Sequence, residues 1–576
     1  MKHFWSAYAA AILGALFLLH LSCQKQTPPE LEYELVKLEY ELVKSRVDSL
    51  PAIEVRMRFS PDEGEVTYVR YEDKAWGETG LFNCLQEIRL VRGSGSLIVE
   101  PDSSRIRIEH ADKAEPLVLS YKVVQDTPGP MDAHNTYRPI IETSYFHIFA
   151  HNLFALPEHY WEGDSPVVDI DLTWTGWEPD EVIHNSFGNR ERKQELRSVA
   201  LEDFHSAIFV GGDFRVYSDR IKGNELHLAL RGDWIPFVDT EVMELLSETV
   251  RAQRHFWEDN SQPYFTVTMR PFPQERGSSF QGTGLTNSFS TSISNNEETE
   301  IDQLAYLFNH ELMHNWIGST IENADEEAQY WFSEGFTEYY TAKNISTYSI
   351  NGRDWGFFID NLNEKLRLLD GSAVKEAPNS EINYDNFWKD PEFGKLPYRR
   401  GMLFAFYLDM QVKTSSGGEH SLDDIMRDLL QASREEGKKL THAHFLTSAN
   451  AYLPEDLTPF FNRHIVSGEA LPMKELFEQL ALEYQEEAEV FDLGFKFSPE
   501  NTEVEELDPA SEAFAAGVRE GDRVVSRSIY LGNTKKQVEL VLEREDQQIP
   551  VAYYPCKRAS LVQLADTEDN RAVFRK

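Results

Sequence analysis

The stretch Ile301–Gly318, IDQLAYLFNHELMHNWIG, decides the fold of the central part of the chain. Its apolar residues recur with the period of an α-helix, which predicts a helix with one face in a core. His310 and His314 lie four residues apart and stack one turn from each other on another face. Two imidazoles at this spacing can bind one Zn²⁺, and Glu311 beside them is placed to accept a proton from water. The stretch therefore predicts a catalytic zinc site.

A catalytic zinc site also needs a third protein ligand and one open position. Downstream, DEEAQYWFSEGFTEYY (325–340) predicts a second helical stretch that carries Glu334 and, one turn later, Glu338. We expect Glu334 to be the third ligand of one Zn²⁺ per chain. Glu338 would lie on the same face and accept the free ring N–H of a zinc histidine. The alternative for Glu338 is a helix carboxylate that faces solvent.

On either side of this segment the sequence pattern changes. Short alternating segments from about 52 to 230 predict a β-rich region, the pattern is helical to about 482, and short strands return after 488. We therefore predict a multi-domain α+β chain. Its parts are a linker at 24–50, an N-terminal β-rich domain at 51–232, a catalytic domain at 233–485, and a C-terminal β domain with its tail at 486–576.

The predicted linker contains a tandem heptapeptide, because LEYELVK at 31–37 recurs at 38–44. Two copies are too few for a repeat architecture, which needs at least three units. A heptad period would suit a short helical or extended stalk. The alternation of Leu, Tyr and Val also suits a β-strand, so both interpretations stay open.

The composition excludes several classes of protein. The 576 residues include 97 Asp and Glu against 56 Lys and Arg, a net charge of −41. This charge would repel a phosphate backbone, so we expect no nucleic-acid partner. The high content of large apolar residues excludes general disorder. Three cysteines are too few for a disulfide scaffold, and we expect Cys84 and Cys556 to be free thiols.

Residues 1–23 read MKHFWSAYAAAILGALFLLHLSC and have the form of a signal peptide, with Lys2 before a short apolar run. The end of this segment resembles the lipobox of bacterial lipoproteins, in which the cysteine is acylated. The resemblance implies that the protein is exported and anchored to a bacterial membrane by lipid on Cys23, on the periplasmic or cell-surface side. His20 stands where the lipobox prefers Leu. An uncleaved anchor and plain secretion are the alternatives.

The segments HELMHNW and WFSEGFTEYY together resemble the gluzincin metallopeptidases, specifically the glycyl-aminopeptidase family and its alanyl-aminopeptidase relatives. Three further stretches are similar to these families, at 136–158, 395–409 and 457–472. The resemblance implies a β-sandwich-like N-terminal region, a thermolysin-like and mostly helical catalytic domain, and peptide substrates.

In KLPYRRGMLFAFYLD (395–409), the resemblance assigns a role to Tyr398, with Arg400 at a position where the families have Lys. The corresponding tyrosine donates its O–H to the oxyanion of the tetrahedral intermediate, and such a donor can contribute a few kcal/mol. Pro397 predicts a helix that begins near Arg399. The alternative is that Tyr398 is a core tyrosine beside a helix start.

The substrate-edge motif of these families has its counterpart in FQGTGLTNSFS (280–290). Gly282, Gly284 and Leu285 are expected to pair with an extended substrate strand. Thr286 stands where the families have the glutamate that holds the free amino terminus of the substrate. Because a hydroxyl cannot neutralise an ammonium group, either another acid has this role or the enzyme is not a strict aminopeptidase, and an endopeptidase is the rival within the enzyme class.

The C-terminal segment from about 488 to 556 resembles a PDZ domain. This resemblance implies a loop at Leu493, Gly494 and Phe495 whose backbone N–H groups would bind the carboxylate of a C-terminal peptide ligand. The alternative is a packing domain that binds nothing. For the whole chain, the rival to a zinc aminopeptidase is a catalytically inactive, lipid-anchored peptide-binding protein.

Overall fold

The computed structural model describes residues 36–93, 95–110, 113, 115–127, 137–162, 166–500 and 502–575. The predicted signal peptide, Cys23 and most of the first heptapeptide copy lie outside the described residues. Within the described ranges, no helix combines the length and the apolar character that crossing a membrane requires. Cys84 and Cys556, both described, are free thiols, as expected.

The N-terminal unit is built almost entirely of strands. They are β1 (Val36–Val47), β2 (Leu50–Phe59), β3 (Val66–Arg70), β4 (Lys74–Ala75), β5 (Glu78–Thr79), β6 (Leu85–Arg92), β7 (Gly95–Glu100), β8 (Arg105–His110), β9 (Leu117–Val124), β10 (Ile140–Ile141), β11 (Tyr145–Phe149), β12 (Leu156–Pro157), β13 (Val167–Thr175), β14 (Val182–Asn185), β15 (Gly188–Asn189), β16 (Lys193–Ala200) and β17 (Ile208–Gly212), with the short helix α1 (Leu201–His205) before β17.

These strands form three larger sheets around one core. Their orders are β16-β13-β1-β2-β9-β6, β12-β3-β8-β7 and β10-β11-β17-β14-β15. Buried side chains of all three sheets meet in the same cluster, for example Leu38, Ile106 and Phe146. Successive residues of a strand point to opposite faces, and one face of most of these strands is buried in this cluster. The apolar residues therefore alternate with polar ones in the sequence. The predicted β-rich N-terminal region is confirmed.

The predicted linker boundary at residue 50 is wrong. The second heptapeptide copy lies in β1, a central strand that pairs in parallel with β13 and antiparallel with β2. Leu38, Tyr40 and Leu42 are fully or almost fully buried. Their alternation with Glu39 and Glu41 outweighs the heptad period, so this copy is a strand and not a stalk.

The catalytic unit begins with a mixed five-stranded sheet of order β18-β19-β20-β22-β21. Its strands are β18 (Arg215–Ile221), β19 (Asn224–Leu230), β20 (Tyr264–Phe272), β21 (Phe280–Leu285) and β22 (Ser288–Ser294). Since β19 pairs in parallel with β20, the first two strands belong to this sheet. The predicted boundary at residue 232 is therefore too late.

Helices make up most of the rest of this unit. They are α2 (Asp239–Phe256), α3 (Ile301–Met313), α4 (Glu326–Ser333), α5 (Gly335–Tyr348), α6 (Trp355–Asp370), α7 (Tyr384–Lys389), α8 (Pro391–Ser416), α9 (Leu422–Glu436), α10 (His442–Asn450), α11 (Thr458–Phe461) and α12 (Met473–Gln479), with a π-helical turn at Asn462–Val466. A large core of aromatic and aliphatic side chains surrounds α5, which is buried from Gly335 to Ser346, and Trp331 is among the largest members of this core.

The C-terminal unit contains β23 (Tyr484–Phe491), β24 (Lys496–Phe497), β25 (Val504–Glu505), α13 (Glu512–Ala515), β26 (Arg523–Ser528), β27 (Val538–Arg544), β28 (Gln547–Tyr553), β29 (Cys556–Leu564) and α14 (Glu568–Phe574). Residues of β24–β28 and α13 enclose a small separate core. In contrast, Leu564 and Phe574 belong to the core of the catalytic unit. The tail predicted to belong to the C-terminal domain therefore completes the catalytic unit.

Candidate metal centre

Three side chains from three consecutive segments meet at the base of a cleft. His310 lies in the last turn of α3, and His314 follows directly as the C-cap residue of that helix. Glu334 stands at the junction of α4 and α5, and its carbonyl still accepts the N–H of Glu338 at 2.9 Å. Among the described residues, these three form the one group of His, Cys, Asp and Glu side chains that converges closely enough to hold a metal ion.

The spacing of the three groups fits zinc. The two Nε2 atoms of His310 and His314 are 3.3 Å apart, and Oε2 of Glu334 is 3.4 Å from the first and 3.7 Å from the second. Ligand atoms that lie about 2.0–2.1 Å from a tetrahedral Zn²⁺ are about 3.3–3.4 Å apart. Oε2 of Glu334 is also buried without a hydrogen-bond partner. The donor set and its spacing therefore fit a zinc ion.

The other ring nitrogen of each histidine is directed at an acceptor. Nδ1 of His314 donates to the carbonyl of Ile317 at 3.1 Å. Nδ1 of His310 is 3.1 Å from Oε1 of Glu338. The hydrogen bond of His314 and the charge of Glu338 beside His310 both favour a proton on Nδ1, which leaves each Nε2 lone pair available to a metal ion.

Glu338 is buried in the interior and is not solvent-facing, which was the alternative. Its Oε2 accepts a hydrogen bond from the hydroxyl of Tyr306 at 2.5 Å and forms an ion pair with Nζ of Lys365 at 2.6 Å. Burial alone would raise the pKa of Glu338, but Lys365 and His310 outweigh it and hold that pKa well below its usual range. Glu338 is thus a fixed carboxylate.

Tyr398 lies beside the three candidate ligands. Its ring stacks on that of His310, with 5.9 Å between the centroids and an angle of 13°, and both Tyr398 and Glu334 line the cleft. Burial and the Glu334 charge raise the pKa of Tyr398 well above its usual value, so the phenol keeps its proton. Glu311 also lines the cleft, next to His310 in sequence.

Two glycines allow Tyr398 to come so close to Glu334. A Cβ atom on Gly335 would lie 2.3 Å from Cα of Gly401, and one on Gly401 would lie 2.1 Å from the carbonyl oxygen of Trp331. Only residues without a side chain permit this close crossing of α5 and α8. Tyr398 lies one turn before Gly401 on α8, so the crossing sets its position.

Above the metal centre lies an open cleft of about 1510 Å³. Strand β21, which carries Gly282, Gly284 and Leu285, forms one wall and is the edge strand of its sheet. A Cβ on Gly282 would lie 2.3 Å from the Phe289 ring, whereas Gly284 faces open space. Thr286 ends the strand and lines the same cleft.

The N-terminal unit supports this edge strand from behind. The backbone N–H of Thr286 donates to the carbonyl of Ser206 at 2.7 Å. The hydroxyl of Tyr137 donates to the carbonyl of Gly282 at 3.4 Å. Ser206 directly follows α1, whose Glu202 and Asp203 line the cleft. Two acidic residues of the N-terminal unit therefore line the same cleft as Thr286.

The predicted PDZ-type loop lies away from this site. Leu493, Gly494 and Phe495 do not line the cleft. The N–H of Gly494 donates to Oδ1 of Asp492 at 2.9 Å, the carbonyl of Leu493 accepts from Tyr553 at 2.8 Å, and the Phe495 side chain is buried. A peptide carboxylate would have to displace the Asp492 contact.

Two residues around the metal centre were absent from the sequence-based set. Tyr306 and Lys365 hold Glu338, as described above. Tyr306 precedes His310 by four residues, so the helical period that identified the histidines could also have found it. Lys365 comes from α6 and has no such signal, because only the packing of α6 on α5 brings it to Glu338.

Comparison with known proteins places this geometry among the metallopeptidases. Residues 282–464 match a family model described as the peptidase family M1 domain. Leucine aminopeptidase 2-2 of Meyerozyma guilliermondii is 29% identical over 142 residues, 22% of this chain and 21% of the relative. Leucine aminopeptidase 2 of Aspergillus clavatus is 27% identical over 164 residues, 27% and 23% of the two chains. The chain thus spans about a fifth of the length of the curated relatives it matches.

A solved structure shares the fold over almost the whole chain. It is an aminopeptidase N family protein from Idiomarina loihiensis, with a TM-score of 0.70 and 15% identity, and the match covers 94% of this chain and 100% of that one. The multi-domain α+β architecture is thereby confirmed. Together with the matched family model, these similarities support an aminopeptidase-type metalloprotease domain in this chain.

Proposed function

We propose that the protein is a zinc-dependent aminopeptidase that hydrolyses peptides outside the cytoplasm, because residues 282–464 match the model of the peptidase family M1 domain. The observation that carries this proposal is the convergence of His310, His314 and Glu334 within the reach of a single ion, beside Glu311 and Tyr398. We further propose that the chain is closest in kind to the glycyl aminopeptidases, because its motifs extend the resemblance beyond the matched domain.

We propose that His310, His314 and Glu334 hold one Zn²⁺ per chain. When bound, zinc supplies a Lewis acid that lowers the pKa of water and polarises a carbonyl. The chain supplies the proton transfers. Glu311 accepts the proton of the attacking water and passes it to the departing amine. Tyr398 donates its O–H to the substrate oxygen as negative charge develops there, which suits a phenol with a raised pKa.

The peptide would bind as an additional strand along β21. The backbone of Gly282 and Gly284 is free of side chains at this edge, and Leu285 continues it towards the N-terminal unit. Backbone hydrogen bonds of this kind position a peptide without regard to its sequence. The scissile bond would then lie over the metal centre at the base of the cleft.

Glu202 and Asp203 support an aminopeptidase despite Thr286. Both residues line the same cleft as Thr286, which bonds to Ser206 directly after their helix. They therefore offer the negative charge that the missing glutamate would have given to a substrate ammonium group. An endopeptidase is the second candidate, because a hydroxyl stands at Thr286 and the cleft is large and open.

Glu311→Gln tests the proposed reaction. The variant should bind zinc as the wild type does and lose nearly all hydrolysis, because glutamine cannot accept the proton of water. Zinc per chain is measured by plasma mass spectrometry, and hydrolysis is measured on peptides with free and with acetylated amino termini. Hydrolysis of free termini alone supports an aminopeptidase. Normal turnover by the variant would refute the role of Glu311, and zinc-free wild-type protein would favour a peptide-binding protein.

We also propose export and a lipid anchor at Cys23, and a peptide ligand for the PDZ-like unit. Both proposals rest on sequence resemblance. The N–H of Gly494 already donates to Asp492, which weighs against a peptide ligand of the PDZ-like unit. Cys23→Ser should move the protein from the membrane fraction to the soluble fraction of cells. A soluble wild-type protein would contradict the anchor.

A further inference from the structure

A small hairpin of the N-terminal unit projects an exposed tryptophan into the cleft. Strands β4 and β5 are joined by two residues, Trp76 and Gly77, with φ angles of 49° and 84°. Two-residue hairpins with positive φ at both positions favour Asn-Gly and Asp-Gly. A tryptophan at the first position costs about 1–2 kcal/mol of backbone strain.

The hairpin that carries Trp76 is firmly anchored. The buried guanidinium of Arg138 donates to the carboxylate of Glu78 and to the carbonyl of Thr79, both at 3.0 Å. Asp126 pairs with the other side of Arg138 and fixes it in turn. Since Glu78 and Thr79 form β5, the tip of the hairpin has little freedom to move.

The indole of Trp76 is only partly covered. Its ring meets those of Tyr137, Phe149 and His151 edge to face, at centroid distances of 5.4, 4.8 and 4.4 Å. The remaining 42% of the residue is exposed and lines the cleft. Burial lowers the pKa of His151 to about 3, so this ring is neutral. An uncharged aromatic surface in a strongly acidic chain therefore faces the cleft.

This aromatic surface is continuous with the strand that would bind the peptide backbone. Tyr137 contacts both Trp76 and the carbonyl of Gly282, as described above. Leu285 packs into the same apolar cluster as Phe149. Tyr137, Trp76 and Glu311 all line this one cleft. A side chain of a peptide on β21 can thus reach Trp76 near the reacting bond.

We propose that Trp76, supported by Tyr137, forms a subsite that binds a large apolar or aromatic side chain of the peptide next to the scissile bond. This inference rests on the proposed function and names its substrate class. An edge-to-face or stacked aromatic pair contributes about 0.5–1.5 kcal/mol beyond the apolar area that it buries. The subsite would therefore select peptides with Phe, Tyr, Trp or Leu over those with Ala, Ser or Asp.

Trp76→Asn separates this role from a structural one. Asparagine suits the positive φ of the turn, so the variant should unfold at the same temperature as the wild type or higher. Its kcat/KM should fall about tenfold or more for peptides with Phe or Trp beside the scissile bond, and stay within about threefold for the matched Ala peptides. Trp76→Phe should keep most of the preference. Trp161→Ala is the control, because it removes another exposed tryptophan of the same unit that lies outside the cleft. It should change neither the kcat/KM for the Phe and Trp peptides nor that for the Ala peptides.

An unchanged preference in Trp76→Asn would overturn the subsite, as would a lowered unfolding temperature with equal losses on all peptides. If the wild type hydrolyses none of the peptides, the proposed function fails on its own. The subsite is then tested by the affinity of zinc-loaded Glu311→Gln for the same Phe and Ala peptides, measured by calorimetry. Tighter binding of Phe peptides that disappears when Trp76→Asn is added supports it, and equal binding overturns it.

Discussion

Glu338 connects the candidate metal centre to the interior of the catalytic unit. Its Oε1 lies 3.1 Å from Nδ1 of His310 on one side, and its Oε2 accepts from Tyr306 and pairs with Lys365 on the other. A carboxylate held in this way fixes both the tautomer and the orientation of the histidine ring. The metal affinity of the site therefore depends on a residue that does not itself contact the metal.

Glu338→Ala should weaken zinc binding about 10–100-fold, because His310 loses the acceptor that orients it. The dissociation constant is measured by competition with a chelator of known affinity. Glu364→Ala is the matched control, since this exposed carboxylate lies next to Lys365 on α6 and should leave affinity unchanged. An unaltered zinc affinity in a folded Glu338→Ala would show that the carboxylate has no part in metal binding.

At the residue scale, the spacing of residues along the sequence was enough to predict most of the site. His310, Glu311, His314, Glu334 and Glu338 all lie within two short segments, and helical periodicity places each on a definite face. The cleft-facing Trp76 had no comparable signal, because its position depends on how the N-terminal unit packs against β21 and β22. Sequence spacing cannot report contacts between units.

At the scale of elements, the crossing of α5 and α8 sets the distance between Tyr398 and Glu334. Gly335→Ala should separate the helices and cost about 1–3 kcal/mol of folding stability, since the added Cβ meets the backbone of Gly401. It should also lower kcat more than it raises KM, because the Tyr398 hydroxyl moves. Gly371→Ala is the control, as that position has ordinary helical φ and a nearest contact of 3.4 Å. Equal effects of the two substitutions would contradict this account.

A buried ion cluster joins α5, α8 and the start of α9. Asp409 is fully buried and accepts from Tyr339 at 2.5 Å, from Lys343 at 3.3 Å and from the N–H of Leu422 at 2.9 Å. Burial would raise its pKa, but Lys343 and Lys413 outweigh this and lower the pKa to about 2. Removing this charge would leave Lys343 buried and without one of its two partners.

Asp409→Asn should reduce the free energy of unfolding by about 3–5 kcal/mol at neutral pH. A carboxyl whose pKa is lower in the folded than in the unfolded chain stabilises the fold above the unfolded-state pKa of about 3.9, and this contribution is lost as the pH falls to about 2. The difference between wild type and variant, measured by urea unfolding of the metal-free chains, should therefore narrow between pH 5 and pH 2.5. The exposed Asp385→Asn should show little effect, and a difference that does not depend on pH would be inconsistent with this charge.

The start of the helix that carries Tyr398 could not be predicted from Pro397. The helix begins at Pro391, where Asp390 caps it by accepting the N–H of Glu392 at 2.9 Å. Asp followed by Pro is a strong start signal in its own right. Pro397 lies inside the helix and lacks only one N–H donor there, a cost that the packing of α8 against α5 can offset. Tertiary contacts, which no local pattern contains, decide between such competing signals.

At the scale of the whole molecule, the C-terminal unit is inserted into the catalytic unit. Strands β23 and β29 are antiparallel neighbours, and their last paired residues are Phe491 and Cys556. Just beyond this pair, the N–H of Asp492 donates to the carbonyl of Pro555 at 3.0 Å. The side chain of Asn363 bonds to both the N–H and the carbonyl of Leu564 at 2.8 Å. The order of elements along the sequence suggests two consecutive domains. It does not indicate that the chain comes back to the catalytic unit after the C-terminal unit.

Excision of residues 493–554, with an Asn-Gly turn joining Asp492 to Pro555, should leave the catalytic unit folded. The paired strands and α14 remain, so the core around Leu564 and Phe574 stays complete. Truncation after Leu482 should instead expose that core and aggregate. Thermal unfolding, size-exclusion chromatography and zinc content distinguish the two chains. Equal stability of both would show that the returning tail contributes nothing to the catalytic unit.

Anomalous X-ray diffraction at the zinc edge, from crystals grown with zinc, tests the proposed metal centre directly. We expect one strong peak per chain, within coordination distance of Nε2 of His310, Nε2 of His314 and the carboxylate of Glu334. A peak elsewhere, or electron density that shows these three side chains without a shared metal ion, would contradict it.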